Sequence, residues 1–179
     1  MLDNENIVKY SKELSYILRH RPEKYNIELD KQGYAKVTDI LKILKINHFE
    51  LDEVVDKNDK KRFAYSENKQ LIRASQGHSV KGLKIDYKEI IPPLALYHGT
   101  ANKVLDLIKF KGIKKMNREY VHLSPDIETA TKVAQRHDKN IVILEIDTLT
   151  MIRDGFTFWI SENNVYLTND IPFHYIKIL

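Results

Sequence analysis

The chain has 179 residues, 42% of them hydrophobic and 30% charged, with a formal net charge of +4 and no cysteine. The apolar fraction is enough for a folded core in one domain or two small ones, and the missing cysteines exclude disulfides, thiol nucleophiles and the usual structural zinc sites. Residues 1–91 carry 18 basic and 15 acidic side chains and residues 92–179 carry 11 and 10, too mild a balance for a basic nucleic-acid face, so any anion site must be local and made of a few arginines.

Residues 5–20 read as an amphipathic helix, with Ile7, Leu14, Ile17 and Leu18 recurring at helical spacing. Pro22 forbids its continuation, so Leu18-Arg19-His20-Arg21-Pro22 delivers two arginines and a histidine together at a helix end. Such cations complement the helix dipole. They also suit an anion pocket, because guanidinium groups bind phosphate bidentately and an imidazole exchanges protons near neutral pH. Ile27 to Leu29 read as a short extended piece and Asp30 to Gly33 as a turn. Thr38-Asp39 is the expected N-cap of a helix carrying Ile40, Leu41 and Leu44, and His48 to Asp56 reads as a third helix with Leu51, Val54 and Val55 inward. Lys60 to Tyr65 and Gln70 to Ala74 flank a polar turn, a hairpin signal. Alternation puts Arg62 and Ala64 on one face of its first strand and Phe63 and Tyr65 on the other. Three helices followed by a hairpin is the order of a winged-helix domain.

Ser75 to Ser79 reads as a polar loop, and the lysine-rich stretch that follows ends in Pro92-Pro93, the best boundary in the chain. The expected division is a first lobe over 1–85, a linker over 86–93 and a second lobe over 94–179. In the second lobe Leu94 to Tyr97 is an expected strand ending in His98-Gly99-Thr100. Ala101 to Phe110 is an expected helix with Val104, Leu107 and Ile108 on one face and Gly112 as its C-cap. Tyr120 to Ser124 alternates as a strand behind Arg118, and Pro125-Asp126 opens a helix with Ala130, Val133 and Ala134 inward. Ile141 to Ile146, Phe156 to Ile160, Val165 to Leu167 and Phe173 to Leu179 complete a strand-dominated lobe, so the class is α+β.

No histidines are spaced for a helical metal site, and the chain has no P-loop, dinucleotide-binding glycine loop or Gly-x-Ser-x-Gly elbow. The expected metal content is therefore none. No signal-peptide, membrane-spanning or lipidation pattern is present, which predicts a cytoplasmic protein without membrane association.

His98-Gly99-Thr100, Val121-His122-Leu123-Ser124 and Ser161-Glu162-Asn163 resemble the three core motifs of the ADP-ribosyltransferase fold, in which a split β-sheet clamps NAD. Taken with Leu-Arg-His-Arg-Pro at 18–22, Lys-Lys-Arg-Phe at 60–63, Arg73-Ala-Ser-Gln-Gly-His-Ser79 and Arg118, in that order, the chain closely resembles the NAD-dependent RNA 2′-phosphotransferase family over nearly its whole length. The resemblance implies an N-terminal winged-helix lobe and a C-terminal ADP-ribosyltransferase-like lobe. It implies Arg19, His20, Arg62 and Arg118 as the catalytic set, and His98, Gly99, Thr100, His122 and Ser124 as NAD-binding residues. Arg73, Gln76, Gly77, His78 and Ser79 are expected to line the substrate-phosphate or RNA site. Asn164 departs from the usual glycine, Tyr166 from the usual tryptophan, and Ser75 lies at a variable position.

The implied reaction takes an internal 2′-phosphate, as at a tRNA-like splice junction, from RNA to NAD without a metal, in a monomer. The phosphate attacks C1″ of NAD and expels nicotinamide; O2″ then attacks phosphorus, giving 2′-hydroxyl RNA and ADP-ribose 1″,2″-cyclic phosphate. One competing reading is an ADP-ribosyltransferase that caps terminal phosphates of nucleic acid and stops after the first step. Another is a non-catalytic winged-helix binder of nucleic acid. Against the latter, the helix before the wing, His48 to Asp56, is acidic and ill suited to a phosphate-lined groove.

Overall fold

The first helix, α1 (Asn4–Arg19), starts at Asp3, whose carboxylate accepts from the Asn6 N–H at 2.8 Å and so satisfies a donor that every helix start leaves open. Ile7, Ser11, Leu14, Ile17 and Leu18 form its buried stripe, and Pro22 opens a single 3-10 turn, Pro22–Tyr25. The structure, a computed structural model, describes residues 1–58 and 61–179; Lys60, expected at the start of the wing, lies outside the described residues. Two compact units make up the chain, Met1–Asp86 and Tyr87–Leu179.

The first unit continues with β1 (Ala35–Lys36), α2 (Val37–Leu44), α3 (His48–Asp56), β2 (Phe63–Tyr65) and β3 (Leu71–Ala74). The strands form one antiparallel sheet in the order β1-β3-β2. Two expectations need correcting. Ile27 to Leu29 join no strand. The N-cap expected at Thr38-Asp39 falls inside the helix: α2 begins at Val37 after Lys36, with no side-chain cap, and the Val37 N–H donates to the Gln70 carbonyl at 2.9 Å. α3 has the expected bounds and carries a reciprocal cap between Asn47 and Glu50. The expected faces of β2 also hold: Phe63 is buried and Tyr65 packs on the core formed by Leu14, Ile17, Leu18, Ile40, Leu51 and Ile72.

The second unit contains β4 (Lys88–Glu89), β5 (Ala95–Ala101), α4 (Leu105–Lys111), β6 (Val121–Leu123), α5 (Ile127–Ala134), β7 (Ile141–Asp147), α6 (Thr148–Arg153), β8 (Phe158–Ile160), β9 (Tyr166–Thr168) and β10 (Ile176–Ile178). Its strands form two antiparallel sheets, β10-β7-β5 and β4-β8-β9-β6. Tyr97 and Ser124 tie the sheets together by exchanging N–H···O bonds of 2.9 and 2.8 Å. The molecule is thus mixed in class, with six helices and small antiparallel sheets among the described residues.

Several boundaries differ from expectation. Lys88 and Glu89, expected in a linker, pair with Ile160 and Trp159 of β8. β5 runs through the expected His98-Gly99-Thr100 end to Ala101, since every residue from Ala95 onward finds a partner on β7. α4 is shorter than expected, and Leu107, placed inward by periodicity, is 52% exposed. α6 has no counterpart in the sequence reading; the Asp147 side chain caps it by accepting from the Thr150 N–H at 3.0 Å. The C-terminal strand begins only at Ile176, after a 3-10 turn over Phe173–Tyr175.

Candidate active site

In the first unit the end of α1 and the start of the wing bring Arg19, His20 and Arg62 into one groove of about 570 Å³, bordered also by Ser11, Ser15, Lys57 and Asn58. Arg19 and His20 arrive together because α1 stops there: His20 is the C-cap, its N–H donating to the Tyr16 carbonyl at 3.1 Å. Arg62 is held by extension of the sheet, its carbonyl accepting from the Ser75 N–H at 2.8 Å. Its guanidinium donates to Asn58 Oδ1 at 3.0 Å.

The loop from Gln76 to Ser79 supports this groove without bordering it. The Ser79 N–H donates to the Arg19 carbonyl at 2.8 Å, and the Ser79 hydroxyl, 3.4 Å from that same oxygen, lies 3.0 Å from His20 Nδ1. With the hydroxyl proton directed at the carbonyl, His20 Nδ1–H donates to Ser79 Oγ and leaves Nε2 as the nitrogen not engaged there. Gly77, at φ +87°, lies flat against Arg19: a Cβ built on it would sit 3.8–3.9 Å from the guanidine atoms. Two of the residues expected at the substrate site, His78 and Arg73, do not border this groove. His78 is only 4% exposed, with neither ring nitrogen hydrogen-bonded among the described residues. Burial first, and then the charges of Arg19, Arg73 and His20, lower its pKa to about 4. Arg73 stacks on the Tyr34 ring at 4.7 Å and donates to the Gln32 carbonyl, so it braces the unit.

In the second unit His98, Gly99, Thr100, Arg118, His122 and Ser124 all border one groove of about 420 Å³. The Tyr97–Ser124 bridge is the cause, since it sets β5 beside β6 with His98 and His122 adjacent. His98 Nδ1 lies 3.1 Å from the His122 carbonyl, which only accepts, so Nδ1 carries the proton and Nε2 is an acceptor. Burial lowers the His98 pKa and keeps the ring neutral. Arg118 lies 3.1 Å from His122 Nδ1; a guanidinium only donates, so this nitrogen accepts and a neutral His122 carries its proton on Nε2. Burial also lowers the Arg118 pKa, the desolvation of a cation that an anionic ligand would offset.

Gly99, which borders this groove, also has a packing role. A Cβ there would fall 2.1 Å from the Ala130 carbonyl oxygen, so glycine is needed for α5 to pack on β5. Sequence reading missed Tyr120, Asn117 and His137 on this groove and Asn58 on the other; each is a single polar or aromatic residue without a motif, so no local signal marks it. Among the described residues no three His, Cys, Asp or Glu side chains gather to hold a metal ion, and no helix is long and apolar enough to cross a membrane.

Each groove thus gathers guanidinium and imidazole groups of the kind that grip phosphorylated ligands. The class they belong to is a transferase family, and comparison with known proteins gives it: the model of the RNA 2′-phosphotransferase, Tpt1 / KptA family matches residues 5–170, and the chain belongs to that family. Curated relatives agree over nearly their full length. A probable RNA 2′-phosphotransferase of Fusobacterium nucleatum is 46% identical over 97% of this chain and 99% of its own. One of Flavobacterium johnsoniae is 48% identical over 97% and 98%, and one of Pectobacterium atrosepticum 44% identical over 93% and 95%.

Proposed function

We propose that this protein removes an internal 2′-phosphate from RNA by transferring it to NAD, yielding 2′-hydroxyl RNA, nicotinamide and ADP-ribose 1″,2″-cyclic phosphate. The observation that carries the reading is the convergence of Arg19, His20 and Arg62 on a single groove. In this reading the first unit is a winged-helix lobe that takes the RNA, and the second is an ADP-ribosyltransferase-like lobe that takes NAD.

The second groove suits the nucleotide. The His98 Nε2 acceptor, the His122 Nε2–H donor and the hydroxyls of Thr100 and Ser124 offer both halves of the hydrogen bonds that ribose diols need. NAD when bound supplies the electrophilic C1″ and the hydroxyl that later takes the phosphorus. The attacking phosphate is already an anion, so the first step needs orientation more than a base. Arg19 and Arg62 hold that phosphate, and Arg118 supplies a fixed positive charge in the nucleotide groove. Guanidinium groups stabilise a crowded, highly charged phosphorus centre without gaining or losing protons. His20, with Nδ1 held by Ser79, orients the phosphate or protonates the departing RNA 2′-oxygen through Nε2.

The test is incubation of a short RNA bearing an internal 2′-phosphate, with and without NAD and without added metal, with products resolved by mass. NAD-dependent appearance of 2′-hydroxyl RNA and the cyclic phosphate is expected. An accumulating ADP-ribosylated RNA in the wild-type reaction would favour the capping reading instead, and no turnover of any RNA would sink the enzymatic one. Removing one oxyanion-type donor costs about 3 kcal/mol, roughly a hundredfold. Arg62→Ala should therefore slow the second step more than the first and let ADP-ribosylated RNA accumulate.

A further inference from the structure

We propose that Asn58 is a positioning residue, held by Ser11 of α1, that fixes the guanidinium of Arg62 for phosphate transfer; the inference rests on the role just given to Arg62. Asn58 is only 6% exposed and Ser11 only 7%. The Asn58 amide donates through Nδ2 to Ser11 Oγ at 2.7 Å and accepts through Oδ1 from Arg62 Nη1 at 3.0 Å.

The chemistry of the three groups sets the direction of this chain of bonds. A guanidinium offers only donors, so the amide must turn its oxygen to Arg62, which leaves its nitrogen for Ser11. The hydroxyl of Ser11 can donate or accept, and it serves here as acceptor. A rigid α-helix therefore anchors one end of the amide, and the other end holds the long side chain of Arg62. Holding such a side chain in one geometry is entropically unfavourable, and an amide clamped on both sides supplies that order before any ligand arrives. The placement is local to the groove: Ser11, Asn58 and Arg62 all border it together with Arg19 and His20. Asn58 follows α3 with its own N–H and carbonyl in turn bonds to Val55 and Lys61. Those are backbone bonds, so truncating the side chain keeps them while removing the clamp on Arg62. The φ of Asn58 is not in the left-handed region, so alanine fits the backbone.

The experiment is a double-mutant cycle on the full chain with 2′-phosphorylated RNA and NAD. Asn58→Ala is expected to lower kcat by about ten- to a hundredfold, the loss associated with a misplaced reacting group, with KM for NAD unchanged. In the Arg62→Ala background the same substitution is expected to cause no further loss. Multiplicative losses would mean that Asn58 acts independently of Arg62 and overturn the proposal, as would wild-type kcat in Asn58→Ala. Full activity in Arg62→Ala alone would overturn the phosphate role of Arg62 and this inference with it, a result distinct from the first two. Should Asn58→Ala fail to fold, Ser11→Ala replaces it, because alanine is a strong helix former and removes only the far anchor. It is expected to fold, lower kcat several-fold, and lose that effect in the Arg62→Ala background; an undiminished effect there would equally refute the clamp.

Discussion

His78 offers the most direct test of how the first unit is built. Its imidazole is buried beside Arg19 and Arg73, with its pKa lowered from 6.5 to about 4, chiefly by burial and then by those charges. The unfolded chain therefore takes up a proton near pH 6.5 that the folded unit refuses until about pH 4. Stability from this group is complete above pH 6.5 and is lost as the pH falls towards 4. A fall from 6.5 to about 4, at about 1.4 kcal/mol for each tenfold in proton affinity, is about 3 kcal/mol. That is a large fraction of the stability of a small domain. The perturbation is His78→Leu, which removes the ionisation together with two ring nitrogens that have no hydrogen-bond partner among the described residues. Loss of unpaired polar atoms is close to neutral, so the variant should match the wild type within about 1 kcal/mol at pH 7.5 and resist acid better. The chain's single tryptophan, Trp159, lies in the second unit, so the assay is amide exchange of Ile72 and Ala74 in β3, followed from pH 7.5 to 4.5. His98, also lowered by burial, is common to both proteins and cancels in the comparison. Equal acid loss in wild type and variant, or His78 ring resonances titrating near 6.5 in the folded protein, would refute the reasoning.

Other expectations follow from single contacts. Gly99→Ala would drive a methyl into the Ala130 carbonyl, 2.1 Å away, and should destabilise the second unit by roughly 3 kcal/mol or more, the upper range for overpacking; Trp159 fluorescence during thermal unfolding reads this, and an unchanged midpoint would contradict the packing. Asn164 sits at φ +59°, where Asn is tolerated and most side chains are strained. Asn164→Gly should thus change stability by only a few tenths of a kcal/mol and Asn164→Ala should cost about 1 kcal/mol, measured in the same unfolding experiment. His122→Ala removes the proposed ribose donor and should raise KM for NAD by about tenfold with the RNA dependence unchanged; steady-state kinetics with each substrate varied separates the two.

Local pattern in the sequence decided a good deal of this protein. The buried stripe of α1, the stop at Pro22, the bounds of α3, the hairpin after it and the strands around His122 follow from periodicity and backbone chemistry confined to a few neighbouring residues. The resemblance supplied Arg19, His20 and Arg62 as a set, and the fold gathers them because helix end and wing strand meet at one groove. What needed the tertiary structure were relations between distant residues. β5 extends through His98-Gly99-Thr100 because β7 offers a partner to every residue, and Gly99 is glycine because α5 approaches its backbone. Leu107 fits an inward helical stripe but α4 leaves it in solvent. His78, expected at the substrate, is buried, whereas Asn58, which no motif marks, bridges Ser11 and Arg62. The physical reason is common to these cases: periodicity reports which face of an element is apolar, while burial, hydrogen-bond partners and close backbone approach are set by whatever the rest of the chain packs against that face.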